Sequence, residues 1–377
     1  MFLDFASQIA SNPLGYNHPE LLKVVKQYAS SHPIKYAGQD FGIPEHLELL
    51  ESLLSITPKP LDAAFLINSG AEAVENAIKI CLRARPAAKF GISFQHAFHG
   101  RTLGALSATN AKPVHKKNYW TFPMQRLPFN ASAADELKDT IAREGSAENV
   151  GFVILESVQG EGGYHIPSGQ MIRSVKKVCQ EQNIPYIADE VQSGMGRTGE
   201  WWAFQHFGIV PDVFSSAKAL QVAATVAKKS YFPEDGAISS TWGGGHRLDL
   251  ALGCKIIEII KKEKLLPHIK KQGLYLKKCV HDLPEIRNPR GLGLMVAFDL
   301  ASKELRNNVI AACLQQGLVV LGCGTAGIRL VPPYILTEKE SNQACDILEK
   351  SIKLCTEPGF KHKENICNYL TCGEHHT

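Results

Sequence analysis

The stretch IPYIADEVQSGMGRTG, residues 184–199, begins as a buried strand and ends in two acids and a glycine-rich turn. Its first five residues are mostly apolar, and Asp189 and Glu190 then follow with no polar residue before them. A carboxylate at the edge of a core costs free energy unless a positively charged or hydrogen-bonding group meets it. The stretch therefore predicts a buried strand whose carboxyl end faces a cationic partner.

Similar runs on both sides of this stretch alternate between strand and helix patterns from about residue 60 to residue 220. Ser168 is placed to cap one of the predicted helices. The predicted elements are a strand at 63–68, a helix at 69–84, a strand at 151–157, a helix at 168–182, a strand at 184–190 and a strand within 211–220. Such alternation predicts an α/β fold with a mainly parallel sheet that is covered by helices.

Four chemically distinctive residues follow strand patterns in this region, namely Gly70, Glu156, Asp189 and Lys218. In open parallel sheets, ligands bind beyond the carboxyl ends of the strands. We therefore expect one sheet edge to gather a glycine turn suited to an anion, two acids and a lysine.

A second region begins near residue 245 and predicts a smaller α+β domain. Residues 247–280 form a long helical pattern, and a closing helix is expected near 337–355. Strand patterns lie between them at 291–300, 317–324 and 327–334. We predict a large domain over residues 14–245 and a small C-terminal domain over residues 246–377.

The composition excludes several classes of protein. The chain has 377 residues, 44% hydrophobic and 21% charged, with a net charge of +4, which is ordinary for a globular protein. No Lys/Arg cluster indicates a nucleic-acid partner, and no apolar run approaches the ~20 residues that cross a membrane. The ten cysteines are scattered, which favours a reducing, cytoplasmic setting.

Lys218 is a candidate for Schiff-base chemistry, because it follows a strand, has small neighbours and shares the predicted edge with Asp189. A solvated surface lysine is the simpler interpretation of such a residue taken alone. A lysine that binds pyridoxal phosphate needs a carboxylate at the pyridine nitrogen, an aromatic face, a helix start for the phosphate and a guanidinium for the substrate carboxylate. The chain offers these groups in Asp189, Phe98, the stretch Ser69–Gly70–Ala71, Arg101 and Arg329.

Several motifs resemble the class III aminotransferases among the fold-type I pyridoxal-phosphate enzymes. The motifs are SGAEAVENAIK (69–79), AFHGRTLGALSATN (97–110), ESVQGEGGYHIP (156–167), IADEVQSGMGRTG (187–199), AKAL (217–220), STWGGG (240–245) and GIRLVPP (327–333). They span nearly the whole chain in the order of the family. The resemblance implies a fold-type I architecture, pyridoxal 5'-phosphate as cofactor and a homodimer with shared active sites.

The resemblance also implies roles for individual residues. Lys218 would form the Schiff base, Asp189 would bind the pyridine nitrogen, and Thr241 would contact the phosphate of the neighbouring subunit. The implied cofactor-binding residues are Ser69, Gly70, Ala71, Phe98, His99, Glu156, Asp189, Gln192, Lys218 and Thr241. Residues 1–13 would be what remains of the N-terminal part of the small domain.

Substrate recognition is implied for Arg101, Glu161, Arg329 and Ile9. Arg101 would bind the carboxylate of an omega-amino acid while Glu161 covers Arg329. Glu161 would swing away when a 2-oxo acid arrives, so that Arg329 binds its α-carboxylate. Without the resemblance, Glu161 is only a mobile carboxylate in a glycine-rich loop.

The finer resemblance favours 4-aminobutyrate as amine donor and 2-oxoglutarate as acceptor, with lysine 6-aminotransferase or ornithine aminotransferase as alternatives. An amino acid racemase of the same family is a further alternative, and a cofactor-binding regulator is a non-enzymatic one. We predict no metal site, because the spacing of Cys367, Cys372, His375 and His376 in the C-terminal tail matches no closed site.

Overall fold

The computed structural model describes residues 1–31, 42–240, 242–357 and 360. Two sequence predictions therefore lie outside the described residues. They concern the phosphate contact of Thr241 and the C-terminal tail with its cysteines and histidines. All other predicted site residues lie within the described part of the chain.

The first 230 residues build a central sheet with helices around it. In chain order the elements are β1 (Leu3–Asp4), α1 (Ser7–Ala10), α2 (Pro19–Ser31), α3 (Pro44–Leu54), β2 (Ala63–Ile67), α4 (Gly70–Arg83), β3 (Phe90–Phe94), α5 (Leu103–Ala108), β4 (Met124–Leu127), α6 (Ala133–Arg143), β5 (Val150–Glu156), α7 (Gly169–Glu181), β6 (Tyr186–Asp189), β7 (Val213–Ser216) and β8 (Ala223–Ala227). The residues of α1 have positive φ angles, so this segment is a left-handed turn.

The large sheet has seven strands in the order β2-β8-β7-β6-β5-β3-β4. The five strands from β7 to β4 run parallel, whereas β8 lies antiparallel to both of its neighbours. Every residue of β5 and β6 is buried, as strands covered by helices on both faces must be. The prediction of an α/β fold with a mainly parallel sheet is confirmed, and the antiparallel β8 is a feature that it did not include.

Side-chain caps fix where two of the covering helices begin. The hydroxyl of Ser69 accepts a hydrogen bond from the backbone N–H of Glu72 at the start of α4. The hydroxyl of Ser168 accepts one from the backbone N–H of Met171 at the start of α7. The second cap is the one that the sequence predicted. Each cap satisfies one of the unpaired N–H groups at a helix start.

The described residues from 242 onward form a smaller group of helices and strands. Its elements are α8 (Arg247–Lys262), α9 (Leu265–His281), β9 (Arg287–Leu292), β10 (Met295–Asp299), α10 (Lys303–Gln315), β11 (Leu318–Val319), β12 (Leu321–Cys323), β13 (Gly327–Leu330) and α11 (Glu338–Thr356). Four of the strands form an antiparallel sheet in the order β12-β13-β10-β9, while β11 pairs with β1 from the chain start. The division at residue 245 stays a prediction.

The long helical pattern predicted at 247–280 is two helices in the structure. Lys264 adopts a left-handed conformation with φ of 51° between α8 and α9. Pro267 lies in the first turn of α9, where its missing N–H leaves no helical hydrogen bond unmade. The proline therefore explains why one helix ends and a second begins here. No helix in the described ranges is long and apolar enough to cross a membrane.

Candidate active site

The carboxyl ends of β5, β6 and β7 meet at one edge of the large sheet, and Asp189 lies at the end of the middle strand. One carboxylate oxygen of Asp189 lies 2.7 Å from the Nδ1 atom of His99. The other accepts hydrogen bonds from the backbone N–H of Val191 at 3.0 Å and from the hydroxyl of Ser215 at 3.1 Å. The carboxylate and the imidazole are both buried. Asp189 is therefore held in a single orientation.

Glu156 ends the neighbouring strand and pairs in register with Asp189. Its two oxygens accept hydrogen bonds from the backbone N–H groups of Phe98 and Gly160, each at 2.8 Å. Burial raises the pKa of Glu156 to about 7, against a lowering effect of His99. Glu156 thus connects the loop after β3 with the loop after β5. Its protonation state depends on how buried it is and on His99.

Lys218 follows β7 and begins a short 3₁₀ turn with a φ of 50°. Positive φ is uncommon for a residue with a side chain, and such strain concentrates at functional sites. Burial lowers the pKa of Lys218 to about 7, and the positive charge of Arg329 adds to the effect. Asp189 and Glu156 act in the opposite direction. Much of the lysine is therefore neutral near pH 7, as a nucleophile or a proton acceptor requires.

Helix α4 points its N-terminus toward the same place. Ser69 caps the helix, and Gly70 and Ala71 supply the first free N–H groups, which together favour an anion. A Cβ atom on Gly70 would lie 2.7 Å from Cγ1 of Val191. Glycine therefore allows the helix start to pack against the loop that follows Asp189.

These groups line one cavity of ≈ 680 Å³. Its walls include all the predicted site residues that the structure describes, which are Ile9, Ser69, Gly70, Ala71, Phe98, His99, Arg101, Glu156, Glu161, Asp189, Gln192, Lys218 and Arg329. Among these lining residues, the buried atoms Nε2 of His99 and Oε1 of Gln192 have no hydrogen-bond partner within the described residues. The geometry thus brings the predicted residues together, while their individual roles stay predictions.

The outer part of the cavity holds a carboxylate between two cations. Glu161 lies 3.1 Å from Nη2 of Arg329 through one oxygen and 2.6 Å from Nζ of Lys112 through the other. Burial alone would raise the pKa of Glu161, but Arg329 and Lys112 hold it below the usual value. The Nε and Nη1 groups of Arg329 are buried and have no partner in the described part of the chain.

Arg101 and Ile9 lie at the mouth of the cavity. The guanidinium of Arg101 is 6.0 Å from the ring centre of Phe98, and its side chain is exposed. Ile9 belongs to the left-handed turn α1. Both residues also line an adjoining outer chamber of ≈ 1400 Å³. Arg101, unlike Arg329, is therefore open to a ligand without the displacement of an acid.

Two residues near the site were missed by the sequence predictions. Lys112 follows the motif of Arg101, and only its position in the fold shows that it contacts Glu161. Glu190 accepts four hydrogen bonds, from Ser157, Ser193 and the backbone N–H groups of Ala203 and Phe204. A signal for Glu190 existed, because a second acid at a buried strand end needs partners as much as the first.

The residues that line the cavity fit pyridoxal phosphate. A buried carboxylate faces the ring position, a capped helix start suits the phosphate, and a lysine with a lowered pKa suits the aldehyde. The unpaired atoms of His99 and Gln192 leave polar groups for a ligand. This fold and this site together define a pyridoxal-phosphate-dependent transferase of fold type I.

The chain belongs to the class III aminotransferases, because the family model described as "Aminotransferase class-III" matches residues 1–352. It is 33% identical to the acetylornithine aminotransferase of Methanosarcina mazei, over 93% of this chain and 87% of that protein. It is 30% identical to the [LysW]-aminoadipate semialdehyde transaminase of Deinococcus radiodurans, over 89% and 78% respectively.

Solved structures give the same family. The lysine aminotransferase of M. tuberculosis superimposes with a TM-score of 0.88 and 26% identity, covering 94% of this chain and 91% of that chain. An omega transaminase of Pseudomonas jessenii, solved in complex with PMP, has a TM-score of 0.86, 25% identity and coverage of 94% and 89%. The protein is therefore an aminotransferase that depends on pyridoxal phosphate.

Proposed function

We propose that this aminotransferase moves the terminal amine of an omega-amino acid to 2-oxoglutarate. The observation that carries the proposal is the Glu161–Arg329 pair, in which the buried guanidinium keeps two N–H groups without a partner in the described chain. A site that binds two chemically different substrates in turn needs a charge that can be covered and uncovered. While Glu161 covers Arg329, this guanidinium cannot anchor an α-carboxylate next to the reacting carbon.

Bound pyridoxal phosphate supplies an aldehyde that takes up the amine nitrogen and a ring that accepts electrons from the reacting carbon. Asp189 would hold a proton at the ring nitrogen, and His99 would keep the carboxylate in place. Lys218 would accept the proton from the carbon that bears the nitrogen and deliver it to the cofactor side. Its lowered pKa suits both directions of this transfer near pH 7.

The remaining predicted residues would bind and orient the cofactor. Ser69, Gly70 and Ala71 would hold the phosphate at the start of α4, and Phe98 would pack against the ring. Gln192 would contact the ring hydroxyl. Thr241 would reach the phosphate of a neighbouring subunit.

A homodimer follows from the role proposed for Thr241. Large apolar side chains near the outer chamber support it, since Leu103, Val114, Tyr119 and Trp120 are all more than half exposed. The cysteines among the described residues are all free thiols, which supports a reducing, cytoplasmic setting.

The charges around the outer chamber favour a particular kind of donor. Arg101, Lys112 and Arg329 line the outer chamber, and the acids among its described lining residues are Glu161 and Asp299, the second of which pairs with Arg290. A donor with a free α-ammonium would be repelled by these cations, whereas one whose α-nitrogen is acylated keeps only the carboxylate charge at its α-carbon. We infer that the donor is an N2-acylated ornithine, such as the acetylornithine named for several relatives.

The sequence resemblance favoured 4-aminobutyrate, which also lacks an α-ammonium. The outer chamber of ≈ 1400 Å³ leaves room for a donor longer than 4-aminobutyrate. Lysine and ornithine carry the additional ammonium and are expected to be poorer donors. 4-Aminobutyrate therefore stays the second candidate, and lysine and ornithine rank below it because of their charge.

A donor panel tests the proposal. The enzyme loaded with cofactor is incubated with 2-oxoglutarate and N2-acetylornithine, 4-aminobutyrate, lysine or ornithine, and glutamate is measured. We expect the highest kcat/KM for N2-acetylornithine and no glutamate from the Lys218→Ala variant. A preference of tenfold or more for lysine or ornithine would contradict the charge argument. Inversion of a single-enantiomer amino acid without any 2-oxo acid would indicate a racemase instead.

A further inference from the structure

Glu161 shares its two carboxylate oxygens between cations from different parts of the chain. Arg329 lies on β13 of the small sheet, and Lys112 lies on the loop after α5. We propose that Lys112 is a positioning residue that keeps hold of Glu161 when the carboxylate leaves Arg329. The inference rests on the proposed function, in which Arg329 is uncovered for a 2-oxo acid.

The backbone around Glu161 is pinned, so the carboxylate can move only through its own side chain. The backbone N–H of Gly324 donates to the carbonyl of Glu161 at 2.9 Å. The residue before Glu161 is tied to the Glu156 carboxylate, and Arg290 donates to the carbonyl of Gly163 at 2.6 Å. Opening is therefore a rotation of the Glu161 side chain rather than a movement of the loop.

The two cations differ in how far they can follow that rotation. The side chain of Arg329 is only 6% exposed and extends from the paired strand β13, whereas the side chain of Lys112 is 40% exposed on a loop. A long, partly solvated ammonium can keep its contact with a moving carboxylate more easily than a packed guanidinium can. Glu161 would therefore leave Arg329 while it stays bound to Lys112.

Lys112 thereby reduces the free energy needed to move the Glu161 carboxylate away from Arg329. Without Lys112, the carboxylate that leaves Arg329 would lose its charged partner, and the Glu161 side chain, paired with Arg329, is only 19% exposed. An unpaired charge in such a place is strongly unfavourable. In the closed state the loss of Lys112 matters less, because Arg329 still pairs with Glu161. Removing Lys112 should therefore harm the state that binds 2-oxo acids more than the closed state.

A double-mutant cycle separates this role from direct contact between Lys112 and the substrate. Four proteins are compared, namely the parent, Lys112→Met, Glu161→Ala and the double variant. The first readout is kcat/KM for 2-oxoglutarate with the amine-loaded enzyme in single turnovers. The second is the affinity of glutarate, a dicarboxylate without the keto group, measured by calorimetry on the protein with and without cofactor. Lys117→Met, an exposed lysine of the same loop, serves as control, and Lys112→Arg tests rescue.

We expect Lys112→Met to lower both quantities about tenfold in the parent background and less than twofold in the Glu161→Ala background. Lys112→Arg should restore most of the loss, and Lys117→Met should change nothing. An equal loss in both backgrounds would mean that Lys112 acts on the substrate directly and would overturn the inference, as would no loss at all. If the parent lacked transamination but glutarate binding showed the coupling, the proposed function would fail while the role of Lys112 stood.

Discussion

The two ends of the cavity hold their charges in different ways. At the inner end, the Asp189 carboxylate accepts two hydrogen bonds through one oxygen and contacts His99 through the other, and both side chains are buried. At the outer end, Glu161 divides its oxygens between Arg329 and Lys112, and part of the guanidinium has no partner in the described chain.

This difference suits the inner end to a cofactor that stays bound and the outer end to substrates that are exchanged. A carboxylate that its neighbours hold in one orientation suits a cofactor that stays in place through both half-reactions. A carboxylate that divides its oxygens between two cations can leave one of them, so it suits a site where one substrate replaces another. The inner end should therefore serve both substrates equally, whereas the outer end should distinguish between them.

The largest effect is expected at the lysine of the inner end. Lys218→Ala removes both the amine that binds the cofactor and the base that moves the proton, so turnover should fall by about 10⁴-fold or more. The variant should also lose the covalent adduct that borohydride traps in the parent, measured by the mass of the intact protein. An adduct that persists in the variant would assign the chemistry to another lysine.

Asp189→Asn should keep the cofactor but slow the chemistry. An amide cannot hold the ring proton by charge, so several kcal/mol of transition-state stabilisation are lost, about a thousandfold in rate. Cofactor content is measured by absorbance after gel filtration, and rates are measured in single turnovers. A variant within threefold of the parent rate would contradict the role proposed for Asp189.

A smaller effect is expected at the outer end. Glu161→Ala uncovers Arg329 permanently, so glutamate should bind better while omega-amine donors lose their advantage. The ratio of kcat/KM for the omega-amine half-reaction to that for the glutamate half-reaction should fall about tenfold, or about 1.4 kcal/mol. An unchanged ratio would leave Glu161 as a loop acid without a role in selection.

The smallest effect concerns pH. Only the neutral amine of Lys218 reacts with an aldehyde, and burial lowers its pKa to about 7. The rate at which cofactor-free protein combines with pyridoxal phosphate should therefore rise up to about pH 7 and change little above it. A lysine with the ordinary pKa would gain about tenfold per pH unit through pH 9. Phosphate-free pyridoxal gives the control, because its profile excludes titration of the phosphate.

The inner end could be predicted from the sequence because its residues follow strands. Strand patterns that end in Glu156, Asp189 and Lys218 must bring those residues to one edge of a parallel sheet. At this edge the Asp189 carboxylate contacts the imidazole of His99 in the structure. The contact between Asp189 and the pyridine nitrogen of the cofactor, which the resemblance implies, remains a proposal.

The outer end could be predicted only in part. Resemblance indicates Glu161 and Arg329, but the contact between Lys112 and Glu161 joins residues 49 positions apart through irregular loops that no periodicity describes.

The break between α8 and α9 was missed for a different reason. Apolar spacing continues across Lys264, and only Pro267 signalled that a new helix begins.

One comparison tests the separation of the two ends most directly. Asp189→Asn and Glu161→Gln both remove a carboxylate charge while keeping its shape, one at each end of the cavity. The rates of both half-reactions are measured for each variant in single turnovers, with N2-acetylornithine and with glutamate. We predict that Asp189→Asn slows the two half-reactions by the same factor, within about threefold, and that Glu161→Gln changes their ratio by about tenfold. A changed ratio for Asp189→Asn together with an unchanged ratio for Glu161→Gln would contradict the account.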